Sequence, residues 1–284
     1  MVTHSWRDAF RSELTAVAGG DGRVVCLETL PRAKHHPFEA AHPDRFFSLP
    51  NVGSVLTQMA TGLGAAGFRP FVVLTAGAGE GRPVVPPVWW RDCLEAGATV
   101  VMPPEAFPDG YDEVRRMPGV PLAVPCGEAE IRAVVRQAAR SRRPHCLVLG
   151  EGPGTVRAAY GEGEVPLVSW ELTGTAADTR LVSVGAAGTR LALAARAAAP
   201  RLGHAHLVYV DEARLSAAAG EIAGRPGKLV VIAAPRLLDP VLRAMRARMP
   251  DRPVLGVPAC AGRADVAQVL AAAAGAVGVH GQPG

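Results

Sequence analysis

Several groups of residues in this 284-residue chain are of the types that carry chemistry. His35, His36, His42 and Asp44 lie close together and could ligate a divalent metal. However, Pro37 and Pro43 break the segment, and metal ligands must be held on rigid elements; a solvated loop is the better expectation. His204 and His206 are two apart at the start of an apolar run, so on a strand they share a face; a strand edge is expected rather than a ligand pair. Gly77-Ala78-Gly79-Glu80-Gly81 follows a strand, as a dinucleotide-binding loop would. Arg82 replaces the third glycine and Pro83 follows, which leaves a plain loop. The chain has no phosphate-loop lysine motif, nucleophile elbow or zinc-binding helix motif.

Five cysteines, Cys26, Cys93, Cys126, Cys146 and Cys260, are odd in number and widely spaced. That pattern fits a reduced, cytoplasmic protein without structural disulfides or a zinc site. Cys26 and Cys146 sit inside apolar runs and read as small core residues.

The elements that must position these residues follow from periodicity. Trp6, Phe10, Leu14 and Val17 predict a helix over 5–17, ended by Gly19-Gly20-Asp21-Gly22. Strands are expected at 23–27, 71–74, 99–102, 122–124 and 145–149, and helices at 54–66 and 128–140. Gly67 stops the first of these two helices. The second half predicts strands at 180–184, 206–210, 228–233 and 253–257, with helices at 189–199, 235–249 and 263–274. Alternating helices and continuous Val/Leu strands imply parallel sheets covered on both faces. The segment 151–178 is rich in Gly, Glu, Pro and Thr and reads as a linker. Residues 1–150 and 179–284 are therefore expected to form two α/β domains.

Hydrophobic residues make up 49% of the chain and charged residues 20%, enough to fill a real core. The net charge is +4, nearly all the cations are arginine, and aromatics are only 5%. Scattered arginines without stacking residues argue against nucleic-acid binding. No apolar run reaches the length of a membrane helix, and the first residues do not read as a secretion signal. Gly20-Asp21-Gly22 with Asn51 mimics the G-D-G…N pattern that holds a metal diphosphate in thiamine enzymes. There the glycine pair ends a strand; here it ends a helix, so a helix-stopping turn is expected.

The run HPDRFFSLPNVGSVLTQMATGLGAAGFRPF, residues 42–71, resembles the pyrimidine-binding domain of transketolases. The family pattern is Pro-Asp-Arg-Phe-Phe, then Gly-Ile-Ala-Glu-Gln, then a helix ending Met-Ala-x-Gly-Leu-Ala, then Gly-x-Arg-Pro-Phe. Residues 6–14 and 117–149 match flanking elements, and the second half resembles the family's C-terminal domain in order and length. The resemblance implies two doubly wound α/β domains, a transketolase-like pyrimidine-binding domain over 1–150 and a transketolase C-terminal-like domain over 179–284. It also implies thiamine diphosphate with Mg²⁺. That cofactor would be held mainly by a separate, diphosphate-binding N-terminal-type subunit, in an α2β2 assembly.

The resemblance breaks at the site. The family's catalytic Glu, which hydrogen-bonds the aminopyrimidine, falls at Gly53, and its neighbours become Asn51 and Ser54. General acid–base groups are typically worth ~10²–10⁴ in rate. The stacking Phe has no counterpart at 75–79, and the family's loop His is absent from 103–110. The Asp of Pro-Ala-Asp is Gly127, whereas Glu130 is kept. Arg45, Phe46, Met59, Gly62, Leu63, Arg69 and Pro70 are kept as well. Asn51, Gly53 and Ser54 remain the expected cofactor contacts, with Glu28 or Glu80 as a rerouted base. Three readings stay open. The chain is a subunit of a ketol- or acyl-anion-transferring complex, a non-catalytic subunit that stabilises an active partner, or an unrelated small-molecule-binding protein.

Overall fold

The computed structural model describes residues 6–29, 36–49, 53–74, 87–103, 111–141, 143–150, 165–170, 178–259 and 266–275. The first half runs α1 (Trp6–Gly20), β1 (Val24–Glu28), α2 (Pro37–Ala41), a 3₁₀ turn (Pro43–Arg45), β2 (Phe46–Ser48), α3 (Gly53–Ala65), β3 (Arg69–Val73) and α4 (Pro87–Glu95). It continues through β4 (Thr99–Met102), α5 (Tyr111–Arg116), β5 (Leu122–Ala123), α6 (Glu128–Arg140) and β6 (His145–Val148). Its six strands are all parallel, in the order β2-β1-β3-β4-β6-β5. Phe10 and Leu14 of α1 and Ile131 and Val134 of α6 cover one face, while Leu56 of α3 and Leu94 of α4 cover the other. Burial on both faces is why β1 and β4 are apolar at nearly every position.

The second half runs β7 (Val168–Trp170), β8 (Thr179–Val184), α7 (Gly185–Ala198), β9 (Gly203–Leu207), α8 (Glu212–Ala223), β10 (Lys228–Ala233), α9 (Pro235–Arg248), β11 (Val254–Pro258) and α10 (Val266–Ala274). The strand order is β11-β10-β8-β9-β7, parallel except for β7, which pairs antiparallel with β9. The two-domain α/β architecture expected from the sequence is present.

Four features differ from expectation. The segment 151–178, read as a linker, contains β7, a strand too short for periodicity to reveal. Helix α8 was not foreseen, because its alanine-rich stretch buries only Leu215, Ala218, Ala219 and Ile222. Its legible signal was Asp211, whose side chain accepts from the Arg214 backbone N–H as N-cap. The short elements α2, α4, α5 and β2 offer too few residues to establish a period. Finally, β9 is placed at 203–207 rather than 206–210, since residues 208–210 have another partner.

That partner is the first domain. Val124 N–H donates to Val208 O at 2.7 Å and Val210 N–H donates to Leu122 O at 2.9 Å, around an antiparallel bridge between Ala123 and Tyr209. The Tyr209 hydroxyl donates to Gln137 Oε1 of α6 at 2.8 Å. Apolar packing is continuous across this seam: Val100, Leu122 and Val124 belong to the same core as Val182, Leu207 and Val231.

Helices α3 and α4 pack so closely that a Cβ on Gly64 would stand 2.5 Å from the Ala96 carbonyl oxygen, whereas one on Gly62 would meet nothing within 4 Å. A backbone neighbour cannot rotate away. Gly64→Ala is therefore expected to lose about 1–3 kcal/mol of stability. Gly62→Ala on the same helix should gain roughly 0.5–1 kcal/mol by restricting the unfolded chain. Urea unfolding of the two variants distinguishes close approach from helix propensity.

Candidate functional site

In open parallel sheets, ligands bind beyond the carboxyl ends of the strands. At that end of the first sheet stand the close of β1, Glu28 and Thr29, and the close of β3. Gly53, the expected position of the glutamate, is the first residue of α3. Ser54 follows in the first turn of α3. Asn51 and Glu80 lie outside the described residues, as does the glycine-rich stretch 77–81.

Glu28 is only 3% exposed, and both its oxygens are engaged. Oε2 accepts from Arg11 Nη2 at 2.9 Å, and Oε1 lies 2.9 Å from His36 Nε2. Burial pushes this carboxyl up. The hydrogen bond from His36 and the Arg11 charge outweigh it, holding Glu28 below the usual carboxylate range. Glu28 thus joins α1, β1 and the approach to α2 as a fixed anion.

His36, expected in a solvated loop, is buried, for a reason the sequence hid. One ring nitrogen contacts Glu28 and the other accepts from the Glu39 backbone N–H as N-cap of α2. His42 is half-buried. Its Nε2 is 3.2 Å from Thr15 O, and its Nδ1 accepts from Arg45 at 2.8 Å. Asp44 is exposed, and His35 lies outside the described residues. These side chains do not converge on a metal position. Arg45 itself donates to the carbonyls of Ala18, Asp21 and Val24 at 3.1–3.3 Å. The Pro-Asp-Arg segment therefore closes the carboxyl end of α1, where a cation suits the exposed carbonyls.

The Gly20-Asp21-Gly22 turn ends α1, as expected. Asp21 is paired with Arg23 at 3.0 Å and Arg69 at 3.1 Å, at the amino end of β1 and β3. The Arg23 hydrogen bond, with Arg69 beside it, lowers its carboxyl to about 2. A cleft of about 380 Å³ opens at this same amino end, lined by Arg23, Arg69, Arg143, Phe68, Gly67 and Gly97. It lies at the opposite end of the strands from Glu28, and Asp21 pairs with two of its arginines.

Sequence reasoning missed a buried polar cluster between the two domains. His204 and His206 do not mark an edge: β9 lies between β8 and β7, and both rings are buried. His206 Nδ1 is 2.9 Å from Thr189 Oγ1 and 3.2 Å from Ser183 Oγ, and His204 Nε2 is 2.8 Å from Ser183 Oγ. His206 Nε2 lies 3.1 Å from Glu130 Oε2 across the domain boundary. The same carboxylate oxygen accepts from the Cys126 backbone N–H at 2.8 Å. The signals available were the Cys126–Glu130 spacing of four at the start of α6 and the histidines two apart on β9.

No family model matches the chain. An uncharacterised transketolase-family protein of Sinorhizobium fredii is 28% identical over 174 residues, which is 56% of this chain and 46% of that protein. A split-gene transketolase, an inactive β4 tetramer, superposes with a TM-score of 0.73 at 19% identity, covering 96% of this chain and 97% of the other. The chain thus shares sequence similarity with a transketolase-family protein and the fold of a split-gene transketolase chain. Full-length transketolases agree over less of their own length. The Leishmania mexicana enzyme gives a TM-score of 0.60 at 15% identity, covering 80% of this chain and 38% of the enzyme. The Campylobacter jejuni enzyme gives 0.58 at 12%, covering 89% and 42%. The chain spans about half the length of the curated relative it matches and has the fold of the split-gene transketolase chain.

Breaking a buried ion pair from one side strands the other charge and costs about 3–5 kcal/mol. Glu28→Gln is expected to lose stability on that scale, with Arg11 and His36 left facing an amide. The sign with pH follows from the lowered carboxyl. The Glu28 contribution is complete above the unfolded value of 4.5 and is lost as pH falls through the lower folded value. Denaturant midpoints measured from pH 7 down to 3 should therefore fall for the wild type and converge on those of Glu28→Gln.

Proposed function

We propose that this chain is the β-type subunit of a split transketolase-like complex that transfers a two-carbon ketol or related acyl-anion unit. Its partner would be a diphosphate-binding, N-terminal-type subunit that holds thiamine diphosphate and Mg²⁺, in a cytoplasmic α2β2 assembly. The observation that carries this reading is end-to-end correspondence with a split-gene transketolase chain, 96% of one and 97% of the other. The free, buried cysteines Cys26, Cys93, Cys126 and Cys146 accord with a reducing compartment, and no helix among the described residues is long and apolar enough to cross a membrane.

Among the described residues, this chain's side of the expected cofactor site does not fit the proton-carrying role. Gly53 brings no carboxylate, and Glu28 is held through both oxygens by Arg11 and His36. No step through the cofactor is assigned to this chain. Asn51, Gly53 and Ser54 are proposed as its contacts to the aminopyrimidine side. A rerouted base would have to be Glu80 or a group from the partner, unless Glu28 leaves its ion pair. The same two observations favour a second reading, in which the subunit is non-catalytic and serves to assemble or stabilise its partner.

Co-purification with a diphosphate-binding chain, followed by calorimetry with thiamine diphosphate and Mg²⁺, tests the proposal. The cofactor is expected to bind the pair at least about tenfold more tightly than either chain alone, a difference of about 1.4 kcal/mol. Tight binding to the isolated chain would overturn the composite-pocket reading. Ketol transfer that requires both chains supports the enzyme reading. A partner fully active alone, with turnover unchanged by Gly53→Glu, establishes the stabilising one.

A further inference from the structure

We infer that Cys126, Glu130 and His206 form a binding site for a zinc-class divalent cation that staples the two domains together. The Cys126 Sγ, a Glu130 carboxylate oxygen and a His206 ring nitrogen all lie within 4.8 Å of one another, and all three residues are buried. Thiolate, imidazole and carboxylate together are a zinc donor set. Tetrahedral bonds of about 2.0–2.3 Å place such donors roughly 3.3–3.6 Å apart. The Glu130–His206 pair is already at 3.1 Å, and the thiol lies within 4.8 Å of both.

A second observation points to an occupant. His206 is 1% exposed, and its Nε2 has no aligned hydrogen-bond partner despite its distance to Glu130. Its other nitrogen is held by the hydroxyls of Thr189 and Ser183. That arrangement fixes the ring with Nε2 on the side of the Cys126–Glu130 pair, as outer partners orient metal-bound imidazoles. If Nδ1 carries the proton, the Nε2 lone pair faces an anion, and a cation between them removes the repulsion. Backbone contacts hold the donors in place: Glu130 and Cys126 flank the start of α6, and His206 sits in β9 two residues before the segment that pairs with β5. A cation there draws one donor from the second domain and two from the first. On binding, the Cys126 thiol proton leaves to solvent and the sulfur binds as thiolate; no redox change is involved.

The full chain, expressed with supplementary zinc and also refolded with Co²⁺, provides the test. Elemental analysis is expected to find about one zinc per chain after exhaustive dialysis without chelator. The Co²⁺ form should show a near-ultraviolet thiolate-to-cobalt absorption that Cys93→Ala retains and Cys126→Ala loses. Glu130→Gln, which keeps the sulfur, should weaken Co²⁺ binding at least about tenfold while circular dichroism confirms the fold. Loss of the band in Cys126→Ala together with weakening in Glu130→Gln supports the site. Wild-type protein that folds yet retains neither metal, or a cobalt band that survives Cys126→Ala, overturns it and leaves a metal-free hydrogen-bond cluster.

Discussion

A short antiparallel seam makes one body out of two α/β units. Residues 122–123 pair on one side with β6, and on the other a bridge joins 122–124 to residues 208–210, just past β9 of the second sheet. The contacts around it are buried and polar: the Tyr209 hydroxyl on Gln137, the Leu122 amide on Asp211, and the Glu130 carboxylate beside His206. Each group would cost about 1–3 kcal/mol if left buried without a partner. Apolar packing alone would tolerate sliding between the halves, whereas these directional contacts specify one register.

The seam also explains where sequence reasoning succeeded and failed. Strands β4 and β10 and helix α6 were legible to the residue, because each is a complete run with one consistent periodicity. The start of β9 was misplaced because the apolar residues 206–210 serve two partners: 206–207 pair with β8, and 208–210 with the other domain. No local pattern distinguishes the two uses. Helix α8 escaped because alanine gives little contrast between its buried and exposed faces.

The candidate site was legible in a different way. The resemblance over residues 42–71 pointed to the fold, which the split-gene transketolase chain shares, yet the roles of its charged residues emerged only in three dimensions. Arg45 closes the end of α1, and His36 and Arg11 neutralise Glu28. Long-range pairings such as Arg11 with Glu28, 17 residues apart, leave no trace in composition or periodicity. The spacings of Cys126 with Glu130 and of His204 with His206 were visible, but not that the two pairs meet, since they belong to different domains.

Bridging the two sheets through this one segment has a mechanical consequence. A swing of one half against the other would shear the Val124–Val208 and Val210–Leu122 hydrogen bonds and expose the continuous core behind them. Hinge-like gaping between the halves is thereby disfavoured. The bridged sheets thus act as a stiff chassis beneath the strand ends.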